Sequence, residues 1–207
     1  MPQYTEKSIP WNKGKIVGRK PPLSPEQVRV IRTLLSQHGN IRNIALFAVA
    51  IYSSLRGVDI LALNVSDVLH GEAVKERVTV YQSKTGQRVT FALTDYTRVA
   101  LRDWIREGDR IYCDPLFSAQ KGQSTGKRLS AIRYRQLVKQ WIGMAQLDPS
   151  LYGTHSLRRT HIAYIYKKTG NIKAAQVLLG HKSIENTAKY LGIEEEEALN
   201  VAEQFEI

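Results

Sequence analysis

L-L-G-H-K-S-I-E-N-T-A-K-Y-L-G, running from Leu178 to Gly192, holds two helix stops, a helix cap and two reactive side chains. Gly180 ends one helix, because glycine enters the left-handed backbone region without a Cβ penalty. Ser183 caps the next, its hydroxyl accepting an otherwise unpaired N–H of the first turn. His181 stands in the joint, and Tyr190 sits on the second helix, which Gly192 stops. Upstream, Asn171 caps a short helix ending at Leu179. Thr154 opens a longer one to Lys168 that carries His155 and Arg158. The C-terminal third therefore reads as helices whose junctions carry polar groups.

The same reading extends toward the N-terminus. Ser24-Pro25-Glu26-Gln27 is a capping-box start, and Val28, Ile31, Leu34 and Leu35 form the apolar stripe of its helix, which Gly39 ends. Asn40 caps a helix whose run I-A-L-F-A-V-A-I-Y is apolar on nearly every side, as a central buried helix must be. This helix leads to Arg56 and a short helix through Ile60, Leu61 and Leu63. The apolar period then changes from helical to two. Val78 and Val80 alternate with Thr79 and Tyr81, and Val89, Phe91 and Leu93 with polar or small neighbours, across a turn at Lys84-Thr85-Gly86-Gln87. That is a hairpin with Lys84 at its tip, and Val65 to Leu69 is read as a third strand. Thr94 to Gly108 is a helix through Val99, Leu101, Trp104 and Ile105. Ser118 to Lys127 is a polar loop, and Ser130 to Ala145 a helix burying Ile132, Leu137, Val138, Trp141 and Ile142. The fold class is α+β, mainly α-helical, with a small three-stranded antiparallel sheet.

The 207 residues carry 43% hydrophobic and 24% charged side chains, ordinary for one globular core with tails. Net charge is +11, and its placement is uneven. Residues 1–22 hold lysines and breakers without a hydrophobic period and read as a flexible basic arm. Glu194 to Ile207 has six acids and no base. The body between is the basic part, which calls for a polyanionic partner such as nucleic acid. One cysteine, Cys113, excludes an internal disulfide, no Cys/His spacing suits zinc, and the longest apolar run, Ile44 to Ile51, is too short for a bilayer. A cytoplasmic, nucleoid-associated protein with no membrane partner is expected.

Arg56, Lys84, His155, Arg158, His181 and Tyr190 together suit a phosphodiester. Guanidinium forks grip phosphate oxygens bidentately and stay charged. His155 and Arg158, three apart on the first turn of a helix, face one way at an end whose free N–H groups favour an anion. A tyrosine phenol forms a phosphate ester that is stable yet reversible. Taken singly, each residue has a structural explanation, from a surface ion pair to a core aromatic. In this order they resemble the catalytic set of the tyrosine recombinase (phage integrase) family: Arg in box I, Lys in a β-hairpin, His-x-x-Arg with His in box II, and a final Tyr, a resemblance that covers about residues 23–200, with the catalytic domain at 23–192. The resemblance implies a helical catalytic domain and a metal-independent DNA strand-transfer enzyme without cofactor. In it Tyr190 forms a 3′-phosphotyrosyl intermediate, His155 takes the proton, His181 donates to a nonbridging oxygen and Lys84 protonates the leaving 5′ oxygen.

Two positions depart from the family pattern. Ser54 stands where a Gly is usual, and Asp59 where a Glu is usual. The expected core-binding domain is also missing upstream, so the chain is similar to the single-domain recombinases of fimbrial switches, with inversion or excision as candidate outcomes. The partners implied are double-stranded DNA, further copies forming dimer to tetramer on DNA, and an accessory DNA-bending protein. The apolar stripe Ala198, Leu199, Val201, Ala202 and Phe205 on the acidic tail, residues 193–207, would dock in trans on the next copy. Two other outcomes fit the same residues: topoisomerase-like relaxation, and a DNA-binding regulator that no longer cuts.

Overall fold

A computed structural model describes residues 19–118, 127–193 and 203. Residues 1–18 of the N-terminal arm, most of the loop after Ser118 and all of the acidic tail but residues 193 and 203 lie outside the described residues; the last residues of the arm are fixed on the body through Lys20, so they do not form a flexible segment. The chain runs α1 (Pro25–Gln37), α2 (Ile41–Tyr52), α3 (Gly57–Ala62), α4 (Val65–Val68), β1 (Leu69–His70), β2 (Ala73–Val74), β3 (Arg77–Tyr81), β4 (Arg88–Ala92), α5 (Asp95–Glu107), α6 (Ala131–Met144), α7 (Thr154–Thr169), α8 (Ile172–Leu179) and α9 (Ile184–Leu191).

The caps read from sequence form as expected. Ser24 and Gln27 make a reciprocal capping box, and Asn40, Thr94, Ser130, Asn171 and Ser183 each accept a backbone N–H at a helix start. Gly170, Gly180 and Gly192 end α7, α8 and α9 in the left-handed conformation. The all-round apolar α2 is the centre of the fold. Residues Ala45 to Ile51 are all buried, and α1, α5 and α7 pack around it. Phe47 meets Trp141 of α6 edge to face at 5.6 Å, and Trp104 of α5 is buried with its indole N–H on the Leu116 carbonyl at 2.7 Å.

The fold class is α+β and mainly helical, but the sheet differs in detail. Two separate two-stranded antiparallel pieces form, β1–β2 and β3–β4, instead of one three-stranded sheet. Val65 to Val68 is a helical turn because Asp67 accepts the Asn64 backbone N–H at 2.7 Å and so closes a first turn. Val65 and Val68, three apart, then share one buried face, and Lys75 satisfies the carbonyls of Ser66 and Asp67. A second correction concerns Ile132, which is 63% exposed. The buried stripe of α6 is Tyr134, Leu137, Val138, Trp141 and Ile142, and residue 132 falls outside its helical phase. The β3–β4 register pairs Val78 with Phe91 and Val80 with Val89, which leaves the turn from Gln82 to Gln87 beyond the strands.

Most apolar side chains join one core. Ile162, Ala175 and Leu179 make a second, smaller cluster against which Ile165, Leu178, Tyr190 and Leu191 pack. The helices α8 and α9 therefore rest on few apolar contacts of their own, and polar bonds and one close glycine contact dock them to the body.

Candidate active site

Arg56 is the N-cap of α3, and its guanidinium reaches the hairpin by donating to Gln82 Oε1. Gln82 is 1% exposed. Its Nε2 donates to the Leu179 carbonyl at 3.0 Å, and its Oε1 also accepts from the Thr85 hydroxyl. Arg158, 5% exposed, donates through Nε to the Ser54 carbonyl at 2.8 Å and through Nη2 to the same Leu179 carbonyl at 3.4 Å. One backbone oxygen at the end of α8 thus gathers both arginines, one directly and one through Gln82.

The Asp59 carboxylate lies near Arg56 but is mostly committed elsewhere. Asp59 Oδ1 accepts from the backbone N–H and the hydroxyl of Ser83, while Oδ2 lies 4.0 Å from Arg56 Nη1 and is buried without a hydrogen bond. Its main work is to hold the hairpin turn. Lys84 is exposed between Ser83, tied to Asp59, and Thr85, tied to Gln82. Both its neighbours are thereby docked on the Arg56 cluster.

Ser54 has φ +55° and is buried. The left-handed conformation explains why a glycine suits this position, and serine accepts roughly 1 kcal/mol of strain to aim its carbonyl at Arg158. Gly180 combines φ +65° with a close approach, since an added Cβ would lie 2.5 Å from Val89 Cγ2 and 3.2 Å from Gln82 Nε2. The glycine lets the hairpin and the α8 terminus meet.

That junction sets His181. Its backbone N–H donates to the Gln176 carbonyl, and Gln176 Nε2 returns a bond to the His181 carbonyl. The Thr187 hydroxyl donates to the Ser183 carbonyl, so its oxygen receives the bond from His181 Nδ1 at 3.2 Å and assigns the proton to Nδ1. Burial, then Arg158 and Arg56, press the His181 pKa down to about 4, so the ring is neutral at pH 7. His155 is exposed in the first turn of α7. Partial loss of hydration, then the charges of Arg158, Arg159 and Arg56, also lower its pKa, leaving it neutral and able to accept a proton.

Tyr190 is on α9, its ring edge to face with His181 at 5.4 Å and facing the Arg158 and Arg159 guanidinium carbons at 5.5 and 4.9 Å. Its hydroxyl is buried without a hydrogen bond of normal geometry. Burial raises the phenol pKa, opposed by Arg158, Arg159 and Arg56. The two arginines, His181 and Tyr190 are therefore brought together, His155 enters through its electrostatic coupling to Arg158 and Arg56, and Lys84 flanks the cluster on the hairpin. The described residues form no group of three or more His, Cys, Asp or Glu able to hold a metal, and none of their helices is long and apolar enough to cross a membrane.

Gln82, Arg159 and the Leu179 carbonyl were absent from the sequence reading. Gln82 had a signal, since it continues the inward phase of Val78 and Val80 as a polar residue where an apolar one belongs. Arg159 was visible only as the second arginine of the box II stretch, and a backbone oxygen leaves no mark in sequence.

A profile of the Phage integrase family matches residues 22–197. The chain is 27% identical over 177 residues to the probable integrase/recombinase YoeC of Bacillus subtilis (strain 168), covering 86% of this chain and 91% of that one. It is 26% identical over 175 residues to the tyrosine recombinase XerC of Shewanella amazonensis, covering 83% and 56% respectively. The chain spans about half the length of the XerC relatives it matches. Two solved structures share the fold. XerA recombinase superposes with a TM-score of 0.69 at 20% identity, covering 90% of this chain and 66% of that one. XerH site-specific recombinase bound to palindromic difH substrate, a post-cleavage complex, gives 0.69 at 20% identity, covering 88% and 52%. With the profile spanning most of the sequence and the fold shared along nine-tenths of it, the chain belongs to the phage integrase family of tyrosine recombinases.

Proposed function

We propose that this protein is a site-specific DNA recombinase that cuts and rejoins double-stranded DNA through a 3′-phosphotyrosyl link to Tyr190. The observation that carries the reading is the convergence of Arg56 and Arg158 on the Leu179 carbonyl beside the His181–Tyr190 ring pair. Two guanidiniums meet the charge that grows on the nonbridging oxygens. Tyr190 Oη attacks phosphorus and loses its proton to the neutral His155. The bond from phosphorus to the 5′ oxygen breaks, and Lys84 protonates that oxygen. His181 has Nδ1–H committed to Thr187, so it donates through Nε2 after the bound phosphate charge has raised its pKa enough to protonate it. A 5′-hydroxyl from a partner strand reverses the sequence and releases Tyr190. The bond energy stays in the ester, so no nucleotide cofactor is needed to reseal the strand.

Residues 23–192 form the catalytic unit, with residues 1–22 as a DNA-tracking arm whose last residues are held on the body through Lys20, and 193–207 docking on the next copy. Relatives bound to DNA, such as XerH with its difH substrate, support duplex DNA as the partner. A groove between α1 and α7, lined by Leu23, Val28 and Ile51 and rimmed by Arg29, Arg32, Lys167 and Lys168, complements an acidic segment with an apolar stripe. Deleting residues 194–207 should weaken assembly on DNA more than binding of a single copy, and equal loss would count against trans docking.

The second reading, a DNA-binding regulator that does not cut, is favoured by one observation: the Tyr190 hydroxyl is shut away from solvent. The two separate on nicked suicide substrates drawn from the DNA flanking the gene, with wild type and Tyr190→Phe in the presence of chelator. A denaturant-resistant protein–DNA adduct formed by wild type alone supports the recombinase. Salt-sensitive binding without an adduct on any substrate leaves the regulator.

A further inference from the structure

Arg159 follows Arg158 on α7 but has a different attachment. It is 8% exposed, and its Nη1 donates to the Lys20 carbonyl at 2.7 Å. Lys20 is itself pinned, with Nζ donating to the Ser150 and Tyr152 carbonyls at 2.8 and 2.9 Å. Three residues on, the Leu23 N–H donates to the Thr160 hydroxyl, which donates to the Ser156 carbonyl. The segment 20–23 is thereby strapped along the first half of α7, and it fixes one edge of the Arg159 guanidinium.

The other edge faces the nucleophile proposed above. The Arg159 guanidinium carbon lies 4.9 Å from the Tyr190 ring centroid, nearer than that of Arg158 at 5.5 Å. Arg159 Nε and Tyr190 Oη are both buried without a hydrogen bond of normal geometry. A buried donor and a buried hydroxyl left unmet each cost stability, and such costs persist where another state of the site uses the groups. Arg159 already acts on the phenol oxygen through its charge and as a donor short of ideal geometry.

We propose that Arg159 is a positioning residue for Tyr190: anchored by the Lys20 carbonyl, it holds the phenol ring against His181 and turns its free N–H to the phenol oxygen as negative charge grows there. Arg159 neither gives nor takes a proton. The phenol proton leaves to the base, the new bond forms from oxygen to phosphorus, and the guanidinium lowers the energy of the charge passing through that oxygen. This rests on Tyr190 being the nucleophile.

The test is single-turnover adduct formation at saturating nicked duplex, measured from pH 6 to 9, with Kd from mobility shift and unfolding by urea, for wild type, Arg159→Gln, Arg159→Lys and Lys20→Ala. Arg159→Gln should lower the rate constant roughly tenfold or more while Kd moves less than about threefold, and should displace its rise with pH to higher pH. Arg159→Lys, which keeps the charge and a donor, should return the profile toward wild type. Lys20→Ala, with the anchor loosened and Arg159 retained, should slow cleavage by a smaller factor without moving the profile. Arg159→Gln with the wild-type rate and profile, or with its loss confined to Kd, overturns the proposal. If Arg159→Gln fails to fold, wild-type rates in both Arg159→Lys and Lys20→Ala overturn it. No adduct with wild type removes the nucleophile reading itself and this role with it.

Discussion

Replacing Gly180 with alanine would test whether the α8 terminus positions the site through its contact with the hairpin. Two costs are separable. The left-handed backbone at φ +65° costs an alanine about 1 kcal/mol. The new Cβ would meet Val89 Cγ2 at 2.5 Å and Gln82 Nε2 at 3.2 Å. Val89 is 2% exposed and paired with Val80 in the ladder, so relief requires the strand or the helix end to move, an overpacking cost of about 1–3 kcal/mol. Gly170, at the same φ with nothing within 4 Å, is the control and pays the backbone cost alone. Urea unfolding should therefore place Gly180→Ala about 2–4 kcal/mol below wild type and Gly170→Ala about 1 kcal/mol below. The adduct assay should show a second effect. Displacing Gln82 breaks its 3.0 Å bond to the Leu179 carbonyl and with it the link from Arg56 to Arg158, so Gly180→Ala should cleave at least roughly tenfold more slowly at a temperature where it stays folded. Equal stability of the two variants within about 0.5 kcal/mol, or wild-type cleavage by Gly180→Ala, would refute the argument.

Three further outcomes follow from the site. Gln82→Leu fills similar space but takes the acceptor from the Arg56 guanidinium and leaves the Leu179 carbonyl only its long 3.4 Å bond from Arg158, so urea unfolding should register a loss of about 1–3 kcal/mol, with slower adduct formation at unchanged Asp59–Ser83 anchoring. Tyr190→Phe removes a buried hydroxyl that has no hydrogen bond of normal geometry, so this variant should be as stable as wild type or up to about 1 kcal/mol more stable while forming no adduct; a clear destabilisation would mean that the hydroxyl is firmly paired. For His181 the folded pKa of about 4 lies below the ordinary 6.5, so the unfolded chain takes up the proton first as pH falls. The neutral ring's contribution is complete above pH 6.5 and is lost as pH drops toward 4, by at most about 3 kcal/mol before solvent screening. Urea midpoints measured across that window should decline less steeply for His181→Gln than for wild type, and parallel declines would show that His181 is not the group responsible.

Sequence by itself determined the elements with local causes. Caps at Ser24, Asn40, Thr94, Ser130, Asn171 and Ser183, stops at Gly180 and Gly192, and the switch to a period of two around Val78 and Val89 act within a few residues, so each is visible in a short window. The order of Arg56, Lys84, His155, Arg158, His181 and Tyr190 was legible for the same reason, as side chains set in short motifs. Val65 to Leu69 misled because alternation and a single helical turn look alike over five residues, and the Asn64–Asp67 pair decided between them. Tertiary structure alone decided how the site is held together. Gln82 and Leu179 are 97 residues apart and Arg158 and Ser54 are 104 apart, and no local pattern ties such pairs. The anchor is a backbone carbonyl that every residue possesses, so only the packing of the hairpin against the glycine at the end of α8 could single out the one at Leu179.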